Sequence, residues 1–194
     1  MKSIKTRLAN DEFLIRASII FFALNIGIAY ALYPHWETFS HLALQVYTLP
    51  FFLFAMGVTI FLLAHTGRRL RAQELHKAGV AMYLSAMCIG LVVLIPYKGG
   101  NTQIALHNLA ALLFVIFAAT GLAWIARKLH DVMLGLSAGL QFGVCVLELV
   151  FLARFNQHPV YSWVWVVLQL AVTLLLLLSL LRIFSILEKP GSKE

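Results

Sequence analysis

The chain has 194 residues, 61% of them hydrophobic and 12% charged, with a mean hydropathy of +0.88 and a formal net charge of +7. A chain this short and this apolar cannot cover itself with polar surface, which excludes a water-soluble globular protein. Its cations lie between apolar runs too long for a soluble basic patch, which excludes nucleic acid as a partner, and two isolated cysteines, Cys88 and Cys145, exclude a disulfide framework or a cysteine-rich metal knuckle.

A helix needs about 20 mostly apolar residues, each adding roughly 1.5 Å, to cross about 30 Å of hydrocarbon. By that measure the fold predicted is all-α, a polytopic membrane protein whose bundle of six transmembrane helices fills residues 1–187, with a short cytoplasmic tail at 188–194. The first span, Leu14 to Tyr33, follows a basic stretch without a small-residue cleavage site and reads as an uncleaved helix. Its Ser18 and Asn25 are placed to hydrogen-bond across helices. The second, Leu42 to Ala64, is expected to kink at Pro50 and to be followed by the longest connection, about 13 residues. The third is Ala78 to Tyr97, the fourth Leu106 to Ala126, the fifth Val132 to Ala153 and the sixth Ser162 to Ile183.

Lysine and arginine beside spans are retained on the cytoplasmic side. In a six-span layout thirteen fall on one side, among them Arg16, Arg68, Arg69, Arg71, Lys77, Arg127, Lys128 and Arg182, and two, Lys98 and Arg154, fall opposite. Both termini are therefore predicted to be cytoplasmic (N-in, C-in). Tyr33, Trp36, Tyr97, Tyr161 and Trp163 would form an aromatic belt at the outer interface. A weak internal echo relates the second and fourth spans, which open near His41 and His107 and close on Arg68-Arg69-Leu70 and Arg127-Lys128-Leu129.

The fifth span carries the most chemistry. Ser137, Gln141, Cys145 and Glu148 recur at intervals of four, four and three, which sets them on one helical face. Glu148, the one carboxylate within a predicted span, costs about 2.5 to 3.5 kcal/mol to insert and so marks a functional candidate. Gly135, Gly139 and Gly143 fall on another face, where a neighbouring helix is expected at close range. Near the outer end the layout gathers His35, His41, His107, Asn108, Lys98, Arg154 and His158, with His107 as the expected partner of Glu148. His65, His76 and His130 read as solvated or headgroup-facing residues of the cytoplasmic side. No His-Glu-x-x-His, Gly-x-Ser-x-Gly or phosphate-binding Gly-x-x-x-x-Gly-Lys pattern occurs.

The stretch Gly90-Leu-Val-Val-Leu-Ile-Pro96-Tyr-Lys-Gly-Gly, followed by Ile104-Ala-Leu-His107-Asn108-Leu-Ala-Ala, resembles a bacterial six-span membrane family known only as a domain of unknown function. That family is distantly grouped with the DRAM-like and GPI-lipid-remodelling membrane proteins, and Phe39-Ser40-His41-Leu is similar to its outer loop. Where members often carry an acid after the proline, this chain has Lys98. The resemblance implies a six-helix bundle in contact with membrane lipids and no established reaction.

The function expected is binding or handling of a lipid or other hydrophobic small molecule near the outer leaflet of a bacterial inner membrane, with His107, Glu148, His41, Gln141, Asn108, His35, Lys98, Arg154 and His158 as ligand-binding candidates. Three other readings stand beside it. They are a small proton-coupled transporter loading Glu148, a haem or metal redox protein using outer histidines, and a structural assembly partner or homo-oligomer joined through the glycine face of the fifth span. No cofactor is assigned and no dedicated metal site is predicted.

Overall fold

The computed structural model describes residues 2–32, 45–95, 100–155 and 162–187, with the side chains of 2–12, 148, 151–155 and 162–166 outside that description. The described backbone forms six helices: α1 (Lys2–Leu32), α2 (Leu49–Ala72), α3 (His76–Leu94), α4 (Asn101–Leu129), α5 (Val132–Phe155) and α6 (Ser162–Leu187). Five apolar stretches are long enough to cross a bilayer, Phe13–Leu32, Leu49–Ala72, His76–Leu94, Asn101–Leu129 and Val167–Leu187, and the described side chains of α5 add a shorter apolar run, Val132–Leu147. Lipid offers no hydrogen bonds to a backbone, so helices that satisfy their own are what such sequences form. Large apolar side chains such as Ile20, Met87 and Leu140 cover the outside while Leu63, Met82, Leu122, Leu180 and Ile183 fill the inside. This is the construction of a multi-pass helical membrane protein.

Each helix packs on the next in sequence, and α1 also meets α6, which closes the ring. Several expected boundaries move. The second helix begins at Leu49 and not Leu42, so Pro50 stands in its first turn, where a missing N–H costs nothing and no kink follows. It runs on to Ala72 through Arg68, Arg69 and Arg71, leaving three residues, 73–75, where a connection of about 13 was expected. The N–H of Leu75 donates to the carbonyl of Leu70 and that of Asp131 to Ala126, each at 2.9 Å, with Glu74 (φ 64°) and His130 (φ 52°) in the left-handed region. This is the Schellman pattern that ends a helix abruptly. The echo between the second and fourth spans thus has a physical counterpart in two matching turns. Asn25 donates to Phe21 of its own helix at 2.8 Å and not across helices.

The glycine expectation is corrected most sharply. A Cβ at Gly139 or Gly143 would meet nothing within 4 Å, and one at Gly135 would touch the Ala126 methyl at an ordinary 3.8 Å. That face of α5 points outward, because its opposite face carries the polar groups. Backbones approach closely elsewhere. A Cβ at Gly67 would come within 2.9 Å of the Gly79 carbonyl oxygen, one at Gly79 within 2.7 Å of the Gly67 oxygen, and one at Gly121 within 2.9 Å of Met82 Cε. Ser85 seals the third and fourth helices by donating to the Phe114 carbonyl at 3.0 Å.

Gly79→Ala is therefore expected to destabilise the bundle by about 1–3 kcal/mol through overpacking against backbone. Gly139→Ala is expected to be neutral or stabilising by up to about 1 kcal/mol, from helix propensity alone. The thermal midpoint in detergent should fall for Gly79→Ala and hold or rise for Gly139→Ala; equal losses would contradict this packing.

Candidate functional site

The polar face of α5 turns inward as its spacing predicts. Ser137, Gln141 and Cys145 are all buried, Gln141 completely. Their partners come from α6, where Ser179 stands opposite Ser137 with 2.6 Å between hydroxyl oxygens. The direction of donation can be read from the chain of bonds. Ser179 gives its one hydrogen to the Leu175 carbonyl at 2.7 Å, a far shorter bond than the 3.5 Å from Ser137 to the same oxygen, so Ser137 donates to Ser179, and Gln141 Nε2 donates to Ser137 at 3.4 Å. The relay leaves Gln141 Oε1 buried with no hydrogen-bond partner among the described residues. Reversing the amide would only exchange an orphan acceptor for an orphan donor. An unanswered buried polar atom costs about 1–3 kcal/mol, so this position is set for a partner. One turn farther along the same face, Cys145 forms a small apolar cluster with Val115 of α4 and Val172 of α6.

His107 is buried too, with 3% of its surface exposed, and the side chain of Glu148, its expected partner, lies outside the described residues. The His107 Nδ1–H donates at 2.7 Å to the carbonyl of Ile95, the C-cap of α3. A helix end leaves such carbonyls without intrahelical donors, so His107 fastens the end of α3 to the start of α4. With Gly135 set against Ala126, the antiparallel register places position 148 about 9 Å deeper along the bundle than position 107. Asn108 is half-buried beside His107. The Glu148 and Arg154 side chains, and His35, His41, Lys98 and His158 entirely, lie outside the described residues, as does the predicted aromatic belt. Among the described residues no three His, Cys, Asp or Glu side chains gather where they could hold one metal ion.

Two features at the end of the bundle that carries the 73–75 and 130–131 turns escaped the sequence reading. His65 is buried, not solvated: its ring stacks between Phe61 and Phe184, each 5.8 Å away between centroids, and Arg68 donates to its Nδ1 at 3.2 Å. Asp131, in the turn before α5, accepts the Leu134 N–H at 3.0 Å and two bonds from Arg182 Nε at 2.9 Å, with a further 2.9 Å contact to the same guanidinium. An aspartate directly before an apolar helical run is an N-cap signal, and Arg182 was already assigned to the same side; only their pairing needed the fold. Comparison with known protein families, with curated proteins and with solved structures finds no match.

The hydrogen bonds from Arg182, more than that from the Leu134 amide, hold the Asp131 carboxyl below the ordinary aspartate value of 3.8. A lowered carboxylate contributes stability that is complete above the unfolded value and is lost as pH falls through the folded one. Asp131→Ala should cost about 1–2 kcal/mol through the lost cap. Asp131→Asn, which keeps an oxygen for the cap, should instead flatten the acid limb of stability against pH. Detergent melts from neutral to acidic pH check both; an unchanged acid limb in Asp131→Asn would contradict the pairing.

Proposed function

We propose that this protein is a six-span, N-in and C-in protein of a bacterial inner membrane that binds a lipid or other hydrophobic small molecule towards the outer leaflet, using the inward polar face of α5. The observation that carries the reading is the completely buried Gln141 amide with an unanswered polar end beside apolar side chains. A ligand suited to it is apolar over most of its surface and carries one hydrogen-bonding group. Glu148, two helical turns farther along the same sequence face, supplies a second polar contact nearer the outer side. His107 then serves as a positioning residue, fastening the end of α3 to the start of α4 at the outer end of the bundle. The resemblance to a six-span family of unknown function, distantly grouped with GPI-lipid-remodelling membrane proteins, implies membrane lipids as partners as well. The same polar series supports a second reading, in which a protonated Glu148 carries a proton through the bundle.

The test is mass spectrometry of molecules that copurify with the detergent-solubilised protein. One hydrophobic molecule should be enriched, and Gln141→Leu should lose it while melting no lower than the parent protein stripped of ligand, because the substitution removes an orphan polar group. Glu148→Gln should weaken retention and remain folded. Equal lipid profiles in all three would contradict ligand binding here, whereas proton uptake by reconstituted vesicles that Glu148→Gln abolishes would favour the transport reading.

Topology is tested separately in a Cys88→Ala, Cys145→Ala background. A cysteine at position 73, an exposed turn position, should react with an impermeant thiol reagent only after cells are permeabilised. Labelling on intact cells would overturn the orientation.

A further inference from the structure

The two short turns, 73–75 and 130–131, lie at one end of the bundle, and three contacts fix them there: Gly67 against Gly79, Lys77 against Trp124, and Asp131 against Arg182. Because the helices run to the brink of such short turns, cationic residues at the ends of α2 and α4 and the start of α3 flank the turns. Arg71, Lys77, Arg127 and Lys128 are all exposed, and none forms an ion pair with a described acid. The acid balance at this end is small. Asp131 is committed to Arg182, which leaves Glu74 as the exposed carboxylate of the two turns. Lys77 is not a free-swinging charge, since its Nζ lies 4.6 Å from the centre of the Trp124 ring. That indole is 46% exposed, an amphipathic ring beside a localised cation at the end of an apolar helix.

We propose that this end of the α3–α4 pair, built on Lys77, Trp124, Arg127 and Lys128, is a binding surface for anionic phospholipid headgroups of the phosphatidylglycerol type. Charge complementarity selects the phosphodiester: clustered cations next to an apolar span attract anionic lipid, and an indole suits the boundary between headgroup and acyl chain. The surface is separate from the polar face of α5 and does not depend on the function proposed for it.

Native mass spectrometry of the full chain in detergent, with dioleoyl phosphatidylglycerol or dioleoyl phosphatidylcholine added at equal concentration, tests this. The anionic lipid should bind roughly tenfold more tightly. The combined Lys77→Gln, Arg127→Gln, Lys128→Gln protein should lose most of that preference, and Glu74→Gln should increase it. If the triple variant does not fold, Glu74→Gln and Glu74→Lys still decide, since each must strengthen anionic binding in proportion to charge. Equal binding of the two lipids, or a preference indifferent to all these substitutions, would overturn the proposal.

Discussion

Where α2 meets α3, the carbonyl oxygen of each glycine lies where the other's missing side chain would begin, Gly67 against Gly79. Lipid tails are as apolar as leucine, so there is no general hydrophobic force to press helices together inside a bilayer, and close packing must supply the attraction. Gly121 against Ala81 and Met82 continues the contact to α4. These three helices form a tightly joined unit on which the rest is hung. The closeness of α2 and α3 makes the three-residue turn 73–75 sufficient, and that turn brings the basic end of α2 beside the basic start of α3.

Composition made the membrane character legible, because it is a one-dimensional property: span length follows from residue rise. The inward face of α5 was legible for a related reason, since residues spaced by three and four share a helical side and Ser137, Gln141 and Cys145 are all buried. Spacing could not distinguish a glycine against a backbone from a glycine facing outward. Gly135, Gly139 and Gly143 have the more regular pattern, yet the close contacts belong to Gly67, Gly79 and Gly121, two of which sit beside turns. Which glycine touches what depends on helix rotation, and in α5 that rotation is set by the polar groups.

Helix ends were hidden for a different reason. Basic residues were read as stopping the second span at Ala64, whereas α2 carries its arginines for two further turns. A hydrocarbon boundary limits apolarity, not helicity, and a helix continues into the headgroup region as long as its backbone remains satisfied. His65 shows the consequence: with basic neighbours in sequence it looked solvated, but the continued helix turns it inward between Phe61 and Phe184. His107 shows the reverse, a histidine whose visible bond closes a helix end.

The hydrogen-bond relay from Gln141 through Ser137 and Ser179 to Leu175 is directional, and at its start it leaves Gln141 Oε1 without a donor among the described residues. An apolar residue there would fill the same space without that cost, and the proposed ligand is what would answer the polar atom. The most direct measurement is an experimental density map of the protein purified with its native lipids. Density from a bound molecule within about 3.5 Å of the Gln141 amide is the result expected of a ligand site. A closed, apolar surround, with the amide fully satisfied by protein donors and no non-protein density along α5, would contradict it.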